Sequence, residues 1–175
     1  AHIVNQVCGS GIRSIVSGFQ SIKSEDSKII IAGGVEVGFH LAKLLSSESL
    51  DITLIDSDKE RLHYAESHLD IRALSGNAMS LSIMEEAKVA NSDLFIAVTA
   101  EESINITICA IAKQLGCKRT IARISNIELI KAQDRISFQD IGVDELISPE
   151  ELAAEEIQQL LDQSAFSKQT VDSNK

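Results

Sequence analysis

The stretch from Lys28 to Asp58 constrains this chain most, because it sets two β-branched apolar runs on either side of a glycine-rich turn and a short helical segment. Lys28-Ile29-Ile30-Ile31-Ala32 is an apolar run of the kind that forms a strand buried on both faces. Gly33-Gly34-Val35-Glu36-Val37-Gly38 follows at once, and Phe39-His40-Leu41-Ala42-Lys43-Leu44-Leu45 has the apolar spacing and residue types of a helix. A second strand, Asp51-Ile52-Thr53-Leu54-Ile55, then ends on Asp56.

Strand, glycine turn, helix, strand and terminal acid within about thirty residues is the layout of a dinucleotide-binding βαβ unit. A phosphate reaches the positive end of a helix only where the preceding turn brings backbone N–H groups close and carries no side chains in the way. The acid at the end of the second strand can accept hydrogen bonds from a ribose diol, and its charge would repel a 2′-phosphate. That favours NAD or an adenosine nucleotide over NADP. Val35 departs from the pattern, since it stands where the fingerprint has its second glycine. The turn taken alone fits either a phosphate cradle or a close packing of helix on sheet.

An apolar fraction of 44% supports a substantial core for a chain of 175 residues, and the single proline argues against long disordered linkers. The formal charge of −10 disfavours nucleic acid or anionic lipid as the main partner. No apolar run approaches the roughly 20 residues of a membrane-spanning helix, and no charged segment followed by an apolar core marks a signal peptide. Cys8, Cys109 and Cys117 lack metal-ligand spacing. They read as buried thiols of a reducing cytoplasm rather than as disulfide or zinc ligands.

Along the rest of the chain, residues 1–27 stand outside the pattern. Ile12, Ile15, Val16, Phe19 and Ile22 recur at helical spacing before the linker-like Ser24-Glu25-Asp26-Ser27, so this extension is a loose tail, an expression remnant or a docking segment. After Asp56 a helix over 57–69 starts at Ser57 or Asp58, and a strand over 71–75 is closed by Gly76-Asn77-Ala78. A helix over 80–88 leads to a central strand over 93–99, which ends at Thr99-Ala100-Glu101-Glu102 on the carboxyl edge. The helix over 103–115 is stopped by Gly116. A strand over 119–124 puts Arg123 near the edge where phosphates would lie, as a phosphate ligand or a plain surface ion pair. A helix over 127–135 and a last strand over 143–147 follow. Ser148-Pro149 starts a terminal helix over 150–161, and the remainder is a polar tail.

Six strands alternating with five helices predict an α/β fold: a Rossmann-like, doubly wound, parallel six-stranded sheet with helices on both faces. No catalytic signature accompanies it. His2, His40, His63 and His68 pair with no serine or cysteine motif, and the spacing of His63 and His68 suits no shared metal.

The succession from residues 28–45 through Ile55-Asp56, Ser75-Gly76-Asn77-Ala78, Asp93 to Thr99, Ala122-Arg123-Ile124, and Gly142 to Glu150 resembles the N-terminal domain of the TrkA family, the RCK or KTN domains. The resemblance covers residues 28–161. It implies a cytoplasmic regulator, peripheral on the inner face of the membrane, that binds NAD(H) or an adenine nucleotide (ATP, ADP or AMP). Its response would pass to a TrkH- or TrkG-type potassium transporter. Gly33, Gly34, Val35, Glu36, Val37 and Gly38 would cradle phosphates, and Asp56 with the adjoining Ser57 would hold the ribose. Asn77, Ala78, Thr99, Ala100 and Glu101 would border the ligand, and Arg123 would face phosphate.

The resemblance divides the chain into an extension at 1–27, a nucleotide domain at 28–148, a crossover helix at 149–162 that makes homodimers, and a tail at 163–175. It also implies a fragment, because the chain ends where a C-terminal subdomain would begin. The alternatives are a small NAD-dependent oxidoreductase on the same fold, or a scaffold that has lost its ligand through Val35.

Overall fold

A computed structural model describes residues 27–34, 36–46 and 50–148. The N-terminal extension, Val35, the expected terminal helix, the tail and Cys8 lie outside the described residues.

Among the described residues the chain alternates strand and helix. These elements are β1 (Lys28–Ala32), α1 (Glu36–Leu45), β2 (Asp51–Asp56), α2 (Lys59–His68), β3 (Arg72–Ser75), α3 (Leu81–Glu86), β4 (Leu94–Ala97), α4 (Glu102–Leu115), β5 (Arg119–Arg123), α5 (Ile127–Lys131) and β6 (Glu145–Ile147). The strands form one sheet in the order β3-β2-β1-β4-β5-β6, and every pairing is parallel. The expected doubly wound sheet is therefore present.

The two faces are assigned residue by residue. Ile29, Ile31, Ile52, Leu54, Leu94, Ile96 and Ile121 pack with Leu41, Ala42 and Leu45 of α1 and Leu62 and Ala65 of α2. Their neighbours Ile30, Ala32, Ile55, Phe95, Ala97 and Ala122 pack on the other side, with Met84 of α3 and Ile108, Cys109 and Ala112 of α4. A strand's side chains alternate between faces, so only a run apolar at every position can serve two cores. Cys109 and Cys117 are free and buried, and burial pushes both thiols up, which keeps them protonated and unreactive.

Several boundaries differ from the sequence reading. The helix after the glycine turn begins at Glu36, so Gly38 lies in its first turn. α2 spans Lys59–His68 rather than 57–69, and of the two starts expected, Ser57 or Asp58, Asp58 is the cap, its carboxylate accepting from Glu60 N–H at 3.0 Å and Arg61 N–H at 3.2 Å. α3 stops at Glu86, because Lys88 takes a left-handed conformation at φ 58°. The helix expected over 127–135 divides into α5 and a 3₁₀ turn at Ala132–Asp134. β6 is shorter than 143–147. The Val143 N–H donates to Phe138 O and the Asp144 N–H to Thr120 Oγ1, so neither joins the ladder.

Candidate functional site

Parallel strands deliver all their carboxyl ends to one edge, and the strand order reverses between β1 and β4, which run outward to opposite sides. In open α/β sheets ligands bind at such a reversal. The loops gathered there are those after β1, β2, β3, β4 and β5, and they carry the residues singled out in the sequence.

The glycines are fixed by steric necessity. Gly33 has φ +110°, and a Cβ there would stand 2.8 Å from both Val98 C and Thr99 N. Gly38 cannot carry a side chain, because its Cβ would fall on the Gly33 carbonyl oxygen. Gly34 lies against Asp56, and a Cβ would come within 3.0 Å of Oδ2. The turn is thus a close approach of α1 to the end of β1, flanked by the β2 carboxylate on one side and the β4 end on the other.

Hydrogen bonds close the arrangement. Gly33 N–H donates to Ile55 O at 2.9 Å, and Gly34 N–H donates to Asp56 Oδ2. Asp58 N–H donates to Asp56 Oδ1 at 2.8 Å, and Gly76 N–H to Asp56 O at 2.9 Å. The amides of both Gly33 and Gly34 are therefore engaged by β2. Toward a phosphate the turn offers the first-turn amides of α1, which have no acceptor within their helix. Those belong to Glu36, Val37 and Gly38.

The remaining expected residues gather at the same edge with different exposures. Ser57, Asn77, Ala100 and Glu101 are exposed, and Asp56, Thr99 and Arg123 are half-buried. Asn77 Oδ1 accepts from Met79 N–H at 2.9 Å in a local turn. Ala78 packs its methyl into the core. Arg123 ends β5 opposite Ile147 of β6.

Two residues to which the sequence reading gave no role, Asn105 and the edge residue Glu102, tie this edge together. Asn105, 1% exposed in α4, joins Thr99 to Arg123 through its side-chain amide. Glu102 Oε1 accepts from Ser125 N–H at 2.7 Å, which holds the loop after β5 to the first turn of α4. A signal for Asn105 existed: it shares the buried stripe of α4 with Ile108, Cys109 and Ala112, at spacings of three, four and seven. An amide on an apolar stripe needs partners that the helix does not supply.

Among the described residues no cluster of three or more His, Cys, Asp or Glu could hold a metal ion. His68 is engaged within α2, its Nδ1 lying 2.7 Å from Tyr64 O and its ring stacked on Tyr64. No helix of the described residues is long and apolar enough to cross a membrane.

The TrkA-N domain family model matches residues 29–149. The Trk system potassium uptake protein TrkA of Haemophilus influenzae is 39% identical over 136 residues, covering 77% of this chain and 30% of that protein. The TrkA homolog of Methanothermobacter thermautotrophicus is 34% identical over 133 residues, covering 76% of this chain and 59% of that one. The chain therefore spans less than two thirds of either relative.

Among solved structures, the TrkA-N domain of the Escherichia coli inner membrane protein ybaL superposes with a TM-score of 0.67 at 20% identity, covering 77% of this chain and 96% of that one. The GsuK channel bound to NAD superposes with a TM-score of 0.64 at 22% identity, covering 81% and 24%. The parallel sheet, its glycine turn and the match over residues 29–149 together lead to one conclusion: the chain belongs to the TrkA-N domain family.

Proposed function

We propose that this chain is the nucleotide-binding regulatory part of a potassium uptake system, with no catalysis of its own. The observation that carries the reading is the pairing of Asp56 with the glycine turn at the reversal of strand order. A carboxylate there suits a ribose diol, and beside it a helix begins at a turn stripped of side chains. In this reading Gly33, Gly34 and Gly38 let α1 approach, and the amides of Glu36, Val37 and Gly38 take phosphate. Asp56, next to Ser57, takes the ribose. Asn77, Ala78, Thr99, Ala100 and Glu101 border the ligand, with Arg123 on the phosphate side. The ligand is NAD(H) or an adenine nucleotide. The GsuK structure bound to NAD, on the same fold, supports this class.

Potassium uptake enters through the names of the relatives. Residues 28–148 are the nucleotide domain, acting on a TrkH- or TrkG-type membrane transporter from its cytoplasmic side as a homodimer or higher oligomer. Regulation requires that the nucleotide bind two arrangements of the assembly unequally, because a ligand shifts an equilibrium only by its differential affinity. Calorimetric titration of the full chain with NADH, NAD, ATP and ADP tests the reading. Saturable binding without redox turnover or hydrolysis is expected, and sustained turnover would overturn it.

Val35 favours a second reading, a scaffold without ligand, because a valine stands where the backbone should approach pyrophosphate. No heat at millimolar nucleotide, with binding gained on Val35→Gly, would support it.

A further inference from the structure

We propose that Asn105 is a positioning residue for the bound nucleotide: it locks the Thr99 and Arg123 loops into one unit and turns the Thr99 hydroxyl into an acceptor for a donor group of the ligand. This rests on the nucleotide reading above.

The side-chain amide of Asn105 has four hydrogen-bonding positions, and all four are filled. Oδ1 accepts from Thr99 N–H at 2.9 Å and from Thr99 Oγ1–H at 2.7 Å. Nδ2 donates to Thr99 O at 3.1 Å and to Arg123 O at 3.0 Å. The main chain dictates which way the amide points, since two carbonyls can be met only by the NH₂ group and a peptide N–H only by the oxygen. Thr99 follows β4 and Arg123 ends β5, so one side chain fixes the relative position of two neighbouring loops at the ligand edge.

The hydroxyl of Thr99 has one proton. Two acceptors face it, Asn105 Oδ1 at 2.7 Å and Glu101 O at 3.3 Å, and the much shorter contact takes the proton, so it goes to Asn105. The 3.3 Å approach of Glu101 N to Oγ1 then has the amide as donor. What remains on Oγ1 is a lone pair, so Thr99 can only accept. Its ligand partner is a ribose hydroxyl or an amine or amide N–H. It is not a phosphate oxygen, which would bring a second acceptor against the first. Thr99 therefore reads the nucleoside end, and phosphate is left to the first turn of α1.

Two measurements test this. In the ligand-free full chain, Asn105→Ala should speed amide hydrogen exchange both at Thr99 and over residues 123–125, with residues 52–55 unchanged. Wild-type exchange in both loops would overturn the locking role. For affinity, Asn105→Ala and Thr99→Val should each weaken ADP and NADH binding about five- to tenfold, the scale of one lost hydrogen bond. The double variant should be little worse than either single one, because both remove the same oriented acceptor. Fully additive losses would overturn the orientation of Thr99 by Asn105.

If Asn105→Ala does not fold, Thr99→Ser against Thr99→Val decides: serine should keep the affinity and valine lose it, and equal affinities would overturn the proposal. Wild-type protein that binds neither ADP nor NADH would refute the nucleotide reading instead, while the exchange measurement would still decide the lock between the loops.

Discussion

The two edges of the sheet carry the same kinds of residue and use them differently. At the amino edge Asp144 and Asp93 each meet a lysine. Asp144 receives Lys113 Nζ at 2.7 Å together with Thr120 N–H at 2.8 Å, and Asp93 receives Lys118 Nζ at 2.6 Å together with Lys28 N–H at 2.8 Å. At the carboxyl edge, among the described residues, Asp56 accepts from the backbone amides of Gly34 and Asp58 and is in no ion pair. A paired carboxylate is neutralised and finished as a staple. One held by peptide N–H groups keeps its charge and spare lone pairs on the side where the loops open. The contrast separates stitching from a site more clearly than residue type does.

The carboxyl edge should be the more sensitive to added volume. Gly38→Ala places a methyl on the Gly33 carbonyl, a backbone atom that can yield only if α1 lifts off β1. The expected loss is about 3 kcal/mol or more in urea unfolding. An unchanged midpoint would mean that α1 does not approach β1 this closely.

This closeness explains why the glycine turn was legible in the sequence and the hydrogen bonds that tie the loops of the site together were not. Steric demands write themselves as glycine, and two-sided burial writes itself as Ile-Ile-Ile, so the strands, their order of appearance and the turn could be read directly. Hydrogen-bond capture leaves no such mark. The strand expected over 93–99 ends at Ala97 in the ladder because Asn105, six residues beyond Thr99, takes the Thr99 amide. The last strand lost its first two residues to Phe138 and Thr120 in the same way. α3 ended early because Lys88 adopted a left-handed conformation that lysine composition does not announce. Whether Gly34 holds a ligand amide or Asp56 was likewise undecidable from spacing, since both uses require the same missing side chain.

A paired substitution sharpens the comparison at the next level. Asp144→Ala removes an acceptor used by Lys113 and Thr120 and should cost about 2 kcal/mol of stability, with ADP and NADH affinity unchanged. Asp56→Asn leaves one of two backbone N–H groups facing an amide NH₂. It should cost a similar amount, about 1–3 kcal/mol, and should abolish nucleotide binding as well. Equal effects of the two variants on affinity would erase the distinction between the edges.

The smallest effect belongs to the Asp93–Lys118 pair, where the lysine side chain is largely in solvent. The hydrogen bond from Lys118, joined by the Lys28 amide, holds the Asp93 carboxyl below the usual carboxylate range, and Asp93 in turn raises the Lys118 ammonium. A lowered acid stabilises the fold above its unfolded value, near 4, and that contribution is lost as pH falls through the folded value. A raised ammonium stabilises below its unfolded value, near 10.4, and is lost as pH rises through the folded one. Asp93→Asn should therefore cost less than about 1 kcal/mol. Its deficit relative to wild type in urea midpoint should be flat between about pH 5 and 10, should vanish toward acid as the carboxylate protonates, and should shrink toward alkali to what the Lys28 amide alone contributes. A deficit that grew toward acid would mean that the carboxylate is stabilised by something other than these two donors, and any loss of nucleotide affinity in this variant would show that the amino edge is not mere stitching.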